Sequence, residues 1–189
     1  MEKVDVMRTS SRLLHPRPAV IVTCLDKEGH VNAIAISWIT PVSKKPPMVA
    51  ICVAKTRYSH QLIREAGEFV VNVPSAELAG AVHYCGTVSG RDVKDKPLRT
   101  GLTLKPARVV KTPIIDECVA HLECVLKQVV DGGWSHDIFV GEVVAAYARP
   151  DAFRGETGLW NLEVARPLLH AGGNVYSRPE PSFKVERKA

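Results

Sequence analysis

Six short runs rich in β-branched residues, none separated from the next by a long helical stretch, limit what this chain can fold into. Ala19-Val20-Ile21-Val22-Thr23-Cys24-Leu25 is the first and strongest. Asp26-Lys27-Glu28-Gly29 supplies a turn and His30 to Ser37 a returning strand, which makes a hairpin. Pro41, Pro46 and Pro47 predict a loop, and Met48 to Val53 a third strand. Glu68 to Val73 is a fourth. From Cys118 to Leu126 the residues alternate, with Cys118, Ala120, Leu122, Cys124 and Leu126 on one face and His121 and Glu123 on the other. Asp131-Gly132-Gly133 predicts a tight turn, and Asp137 to Ala148 another long strand. Only two short helices interrupt: Ser59 to Ala66, with Ser59 at the N-cap and Gly67 beyond the end, and Ser75 to about Tyr84, stopped near Gly86. A doubly wound parallel sheet needs longer helices between its strands. The expectation is a mainly β chain with short helices, closed or partly closed as a barrel.

Composition narrows the function. Hydrophobic residues at 46% and charged residues at 24% describe a globular protein rather than a disordered one. No apolar run approaches the roughly 18 residues of a membrane span. Met1-Glu2-Lys3-Val4-Asp5 lacks the order of a secretory signal, so a cytoplasmic protein away from membranes is expected. The net charge of +5 is dispersed, and aromatics are only 6%. A nucleic-acid face gathers bases with stacking aromatics, so no nucleic-acid partner is expected. A small anionic ligand, including one with a phosphate, fits the charge better. Five cysteines with no Cys-x-x-Cys argue against a disulfide framework and against a zinc or iron–sulfur centre, and no metal is expected. Cys24, Cys52, Cys118 and Cys124 lie in apolar runs and read as buried free thiols. Cys85 differs, because Gly86 follows it and polar residues surround it.

Five segments can carry chemistry. Val31-Asn32-Ala33-Ile34-Ala35-Ile36-Ser37-Trp38 sets small residues along a strand, where a flat ligand can approach the backbone; Asn32 and Ser37 add side-chain partners. Taken alone, an ordinary strand with small inward residues is the default reading. Lys55-Thr56-Arg57-Tyr58-Ser59 opens a helix, where free N–H groups, two hydroxyls and the Arg57 guanidinium favour an anion; plain capping by Ser59 is the alternative. Cys85-Gly86-Thr87-Val88-Ser89-Gly90-Arg91, continuing to Lys96, can close over a phosphate or sugar, or be a solvated loop. Trp134-Ser135-His136-Asp137 offers a ring that can stack on a ligand, and Leu169-His170-Ala171-Gly172-Gly173-Asn174-Val175-Tyr176 offers two polar aromatics beside a turn. Adjacency of Ser135, His136 and Asp137 is no triad, since triad members meet in space.

Taken together these segments resemble the flavin reductase-like, FMN-binding split-barrel family, most closely its flavoredoxin branch. The carriers are Pro18-Ala19-Val20-Ile21-Val22-Thr23, Asn32-Ala33 with Ser37-Trp38, Lys55-Thr56-Arg57-Tyr58-Ser59, Gly67-Glu68-Phe69-Val70-Val71-Asn72, Ser89-Gly90-Arg91-Asp92, Phe139-Val140-Gly141-Glu142-Val143, and His170-x-Gly172-Gly173-Asn174-x-Tyr176. They run from Pro16 to Tyr176, nearly the whole chain, leaving a charged tail over 177–189 of a single domain, 1–189. The resemblance implies a homodimeric split barrel holding FMN without a covalent bond. It lays the strand from Asn32 through Ala33, Ile34, Ala35 and Ser37 to Trp38 along the isoalloxazine. Thr56, Arg57 and Ser59, with Tyr58 beside them, would hold the phosphate; Ser89, Gly90, Arg91 and Lys96 would close over it, near Cys85. It implies an oxidoreductase passing electrons through FMN to a flavin, ferric or protein acceptor. Related short-chain flavin reductases carry Gly-Asp-His before the Phe-x-Gly strand; here Trp134-Ser135-His136 stand there and only the histidine matches. The donor is therefore left open between NADH, NADPH and a protein. No catalytic side chain stands out, though His136 and His170 are candidates for positioning a nicotinamide or supplying a proton. An FMN-bearing carrier without NAD(P)H activity, and a non-catalytic barrel for another phosphate-bearing ligand or a heme, are the alternatives.

Overall fold

In the computed structural model, which describes residues 2–185, a 3-10 helix (Met7–Leu14) precedes the strands. In chain order come β1 (Arg17–Pro18), β2 (Val20–Leu25), β3 (Val31–Ile36), β4 (Ile39–Lys44), β5 (Pro47–Ala54), α1 (Tyr58–Ala66) and β6 (Glu68–Val73). Then follow α2 (Ala79–Thr87), β7 (Leu104–Lys105), β8 (Ile114–Ile115), β9 (Ala120–Asp131) and β10 (His136–Ala148). The chain closes with β11 (Phe153–Arg154), β12 (Leu159–Trp160), β13 (Leu169–Gly172) and β14 (Val175–Ser177). The last four residues of the charged tail lie outside the described residues.

Seven strands form one antiparallel sheet in the order β3-β2-β6-β9-β10-β5-β4. Its two edge strands, β3 and β4, are consecutive in the chain and joined only by Ser37 and Trp38. So short a link brings the first and last strands together, yet no ladder joins them among the described residues. The result is a barrel split along one seam. Its interior confirms the closure: Ile34 of β3, Ile51 of β5, Phe69 of β6 and Phe139 of β10 meet in one buried cluster. Leu62 and Ile63 of α1 complete it. Phe69 and Phe139 are fully buried, and truncating either to alanine would cost about 3–5 kcal/mol. Gly67 ends α1 in the left-handed region at φ 69°, its N–H donating to the Ile63 carbonyl.

A second core lies outside the barrel, where Val82 and Cys85 of α2 cover Ala19, Ile21 and Ala33. β2 is thus buried on both faces, as its continuous apolar run requires. On the far side, His121 and Glu123 face away from the barrel interior but are buried all the same. Glu123 accepts the backbone N–H groups of Arg108 (2.7 Å), Val109 (2.7 Å) and Val110 (3.1 Å) and the Tyr147 hydroxyl (2.9 Å), so one carboxylate holds a whole loop against the sheet.

The structure corrects three local expectations. Of the three prolines expected in one loop, Pro41 lies instead in β4, an edge strand whose pairing with β5 shifts between Pro41 and Ser43; Pro46 stands in the turn and Pro47 opens β5. An edge needs a ladder on one side only, so a missing N–H is tolerated there. Ser59 does not cap α1; the N-cap is Arg57, and no side chain caps the helix. The helix expected from Ser75 ends beside Gly86 as anticipated but begins later, at Ala79 after a 3-10 turn over Ala76–Leu78, and Cys85 is buried within it rather than set among polar groups. A Cβ at Gly86 would lie 3.1 Å from that of Ala35, so the glycine lets α2 press onto β3.

Candidate functional site

The seam opens into a cleft of about 540 Å³. One wall is β3, through Asn32, Ile34 and Ala35; the opposite wall is β5, through Cys52 and Ala54. The start of α1 and the loop from Val88 to Lys96 close one end.

That end is built for an anion. Because α1 begins without a side-chain cap, the N–H groups of Tyr58 and Ser59 find no acceptor among the described residues, while that of His60 goes to the Arg57 carbonyl (3.0 Å). Free N–H groups at the positive end of a helix dipole attract negative charge. Arg57, Arg91 and Lys96 line the same end, and among the described residues no Asp or Glu lines the cleft. Neighbouring Lys55 is already neutralised, with Nζ 2.9 Å from Asp131 and 3.3 Å from Asp137. The other three cations enter no ion pair among the described residues.

The loop over this end is pinned. Arg91 donates to the Thr56 carbonyl (3.3 Å) and lies over the Tyr58 ring, 5.1 Å from its centroid. Asp95, at φ 47°, accepts the N–H of Val31 (2.9 Å) on the open edge of β3. Lys96 is buried, and its ammonium donates to the carbonyls of Cys85 (2.9 Å) and Val88 (2.7 Å) at the end of α2. Burial lowers its pKa from the usual lysine value. An ammonium has three N–H donors, so one is left over. Asn32 donates from Nδ2 to Ser59 Oγ (2.7 Å), which leaves Oδ1 buried without a partner. A ligand hydroxyl is the kind of group that satisfies it.

Away from that end no Asp, Glu, Lys or Arg lines the cleft among the described residues. Half-exposed Trp38 stacks on His136, with centroids 5.0 Å apart and planes 21° apart, and the Arg17 guanidinium lies 5.4 Å from the Trp38 ring. Cys52 is half-buried, and burial raises its pKa above the ordinary thiol value. Cys24 and Cys85 are pushed further by burial, to about 12 and about 11. These thiols are not activated nucleophiles. No group of three or more metal-ligating side chains comes together among the described residues.

Residues 11–178 match the flavin reductase like domain. The chain belongs to the flavin reductase-like family. An uncharacterised protein of Aeropyrum pernix is 36% identical over 174 residues, which are 92% of this chain and 64% of that one. The chain thus spans less than two thirds of that relative's length. Flavoredoxin from Methanosarcina acetivorans has the same fold, with a TM-score of 0.85 at 28% identity over 98% of this chain and 95% of that one. An FMN-binding protein from Thermus thermophilus, solved with bound 1-cyclohex-2-enone, gives a TM-score of 0.83 at 25% identity over 98% and 99% of the two chains. The fold is that of the FMN-binding split barrels.

In this flavin reductase-like chain, the residues expected at the site gather around one cleft, with one exception. Asn32, Ile34, Ala35, Ser37, Trp38, Thr56, Arg57, Tyr58, Ser59, Cys85, Ser89, Gly90, Arg91 and Lys96 all line it. Ala33 does not; it is fully buried in the second core, on the face of β3 that α2 covers. His136 lines the cleft, whereas His170 stands in a separate side cleft. Sequence reasoning missed Cys52 and Ala54. Their signal is a two-residue period: Ile51 and Val53 fill the barrel, so Cys52 and Ala54 take the other face just ahead of Thr56.

Proposed function

We propose that this chain is an FMN-dependent oxidoreductase of the flavin reductase and flavoredoxin type. It takes electrons from a nicotinamide or protein donor and hands them to a flavin, ferric or protein acceptor. The observation that carries this reading is the pairing, in one cleft, of an anion end lined by no carboxylate among the described residues with small side chains at Ala35, Ser37, Cys52 and Ala54. Arg57, Arg91, Thr56 and the first N–H groups of α1 hold the phosphate, with Ser59, Ser89 and Gly90 around it. Asn32 Oδ1 takes a hydroxyl of the linking chain, and Ala35, Ser37 and Trp38 bound the ring system. Lys96 brings a buried cation, fixed by the carbonyls of Cys85 and Val88. When bound, FMN supplies the hydride or electron transfer; the protein binds, orients and tunes it. The names of the flavoredoxin and the FMN-binding protein that share the fold support the same choice. Five free thiols suit the reducing cytoplasm, and homodimerisation is carried over from the family resemblance.

The purified protein is expected to bind FMN and turn yellow. Arg57→Ala removes a charged hydrogen-bond donor and is expected to weaken FMN by about 1.5–3 kcal/mol in a fluorescence titration. An unchanged affinity would overturn the phosphate assignment. Anaerobic mixing with NADH and with NADPH then separates the donors. Bleaching of the flavin band by either names a nicotinamide donor; bleaching by neither leaves a carrier reduced by a protein.

A further inference from the structure

Asp137 follows cleft-lining His136 on β10 and is a buried carboxylate among three bases. Its Oδ2 accepts the Nε2–H of His60 at 2.8 Å and lies 3.6 Å from Arg64 Nη1, while Oδ1 faces Lys55 Nζ at 3.3 Å. Lys55 and His60 stand immediately before and after Thr56-Arg57-Tyr58-Ser59, the turn that opens α1. We propose that Asp137 is the positioning residue of the anion end: by holding both sides of that turn, it aims the first N–H groups of α1 at the phosphate. The proposal rests on the FMN reading.

α1 needs such a hold. It has nine residues and no side-chain cap, and a helix so short takes its stability from tertiary contacts. Leu62 and Ile63 bury its inner face, but apolar burial is non-directional and does not set the aim of the first turn. A hydrogen bond to a carboxylate is directional and charge-assisted. The His60 ring packs edge-on against Phe139, with centroids 5.0 Å apart, which fixes the ring that makes this bond. On the other side of the turn, the Lys55 N–H donates to the Ser135 carbonyl (3.0 Å), so main chain and side chain both tie Lys55 to the segment that carries Asp137. Asp137 itself is set in the sheet, opposite Val53 of β5 and Asp131 of β9. The hydrogen bond from His60 holds its carboxyl below the ordinary value, so it stays ionised at neutral pH. Charge alone gives no reason for it to be there, since a carboxylate near an anion site repels the anion. Geometry gives one.

The test compares FMN with riboflavin, which has the same ring and no phosphate, by fluorescence titration of the unaltered protein, Asp137→Ala and His60→Phe. His60→Phe keeps a ring against Phe139 and removes the bond to Asp137; it carries the test if Asp137→Ala fails to fold. Each variant is expected to weaken FMN about tenfold and to leave riboflavin unchanged. The loss should persist at high salt, because screening erases a charge effect but not a misplaced helix end. FMN bound as tightly as before, or more tightly as removal of a negative charge alone dictates, would overturn the proposal. So would an equal loss of both ligands, which marks a general structural role, or a loss that vanishes at high salt. If the unaltered protein binds FMN no better than riboflavin, the phosphate reading falls and takes this proposal with it. If it prefers FMN and both variants keep that preference, only the role of Asp137 falls.

Discussion

Gly90 rests directly on the side-chain amide of Asn32: a Cβ at Gly90 would stand 2.1 Å from Asn32 Oδ1 and 2.7 Å from Cγ. Unbonded heavy atoms do not come that close, so Gly90→Ala must displace either the loop or the amide. Overpacking of this kind costs about 1–3 kcal/mol. Gly90 is set over the cleft, so the loss is expected in ligand affinity. FMN binding should weaken by roughly ten- to a hundredfold in a fluorescence titration, with little change in the thermal midpoint of the apo protein.

Cys52 is half-buried and lines the cleft, while Cys24, Cys85, Cys118 and Cys124 are buried. Under native conditions an aromatic disulfide reagent is expected to modify one thiol, slowly, because burial raises its pKa. Saturating FMN should protect it, and Cys52→Ser should abolish the reaction. Labelling of Cys52 at the same rate with and without FMN would place the ligand elsewhere.

Stability should fall as the solution is acidified, and His121 sets the first window. Its Nδ1–H donates to Asn72 Oδ1 (3.0 Å), and burial lowers its pKa from 6.5 to about 4. The unfolded chain takes up this proton below pH 6.5 and the folded chain does not. The contribution is therefore full above pH 6.5 and lost as pH falls toward 4, by about 3 kcal/mol. Glu123 extends the loss below pH 4.5: burial raises its pKa, but three backbone N–H groups and Tyr147 outweigh that and hold it low. Denaturant melts at pH 7 and pH 4.5 measure the effect. His121→Phe is expected to lower stability at pH 7 and to flatten the dependence between pH 6.5 and 4.5.

Gly141 lies on β10 where its pairing with β9 shifts, and a Cβ there would come within 2.7 Å of Phe69 Cζ and 3.0 Å of Cys124 Cβ. Phe69 is fully buried and has no room to yield. Gly141→Ala is expected to destabilise the fold by about 1–3 kcal/mol in denaturant melts. The folded fraction should bind FMN as before, in contrast to Gly90→Ala.

Much of this was legible in the sequence because the strands announce themselves. β6 occupies the same residues the pattern marks, and β9 keeps the alternation that sends Leu122 and Cys124 inward. β4 was hidden because Pro41 reads as a breaker, and only the strand's place at the edge makes it acceptable. The anion end was legible because its donors are contiguous from Thr56 to Ser59. Ala33 was misplaced because spacing along a strand does not say where a covering helix stops. The side cleft was out of reach for a related reason: His83 and Tyr176 are far apart in the chain and meet only after α2 and β14 dock.

The link of Ser37 and Trp38 bears on how such a molecule meets its ligand. Two residues tether the sheet's outermost strands, so those margins can never drift far apart, even though nothing zips them together. The gap between them is bounded at one end by that two-residue link. A molecule lodging there would act as a clasp, spanning margins that no ladder joins among the described residues, and binding should raise the melting temperature in step with ligand concentration.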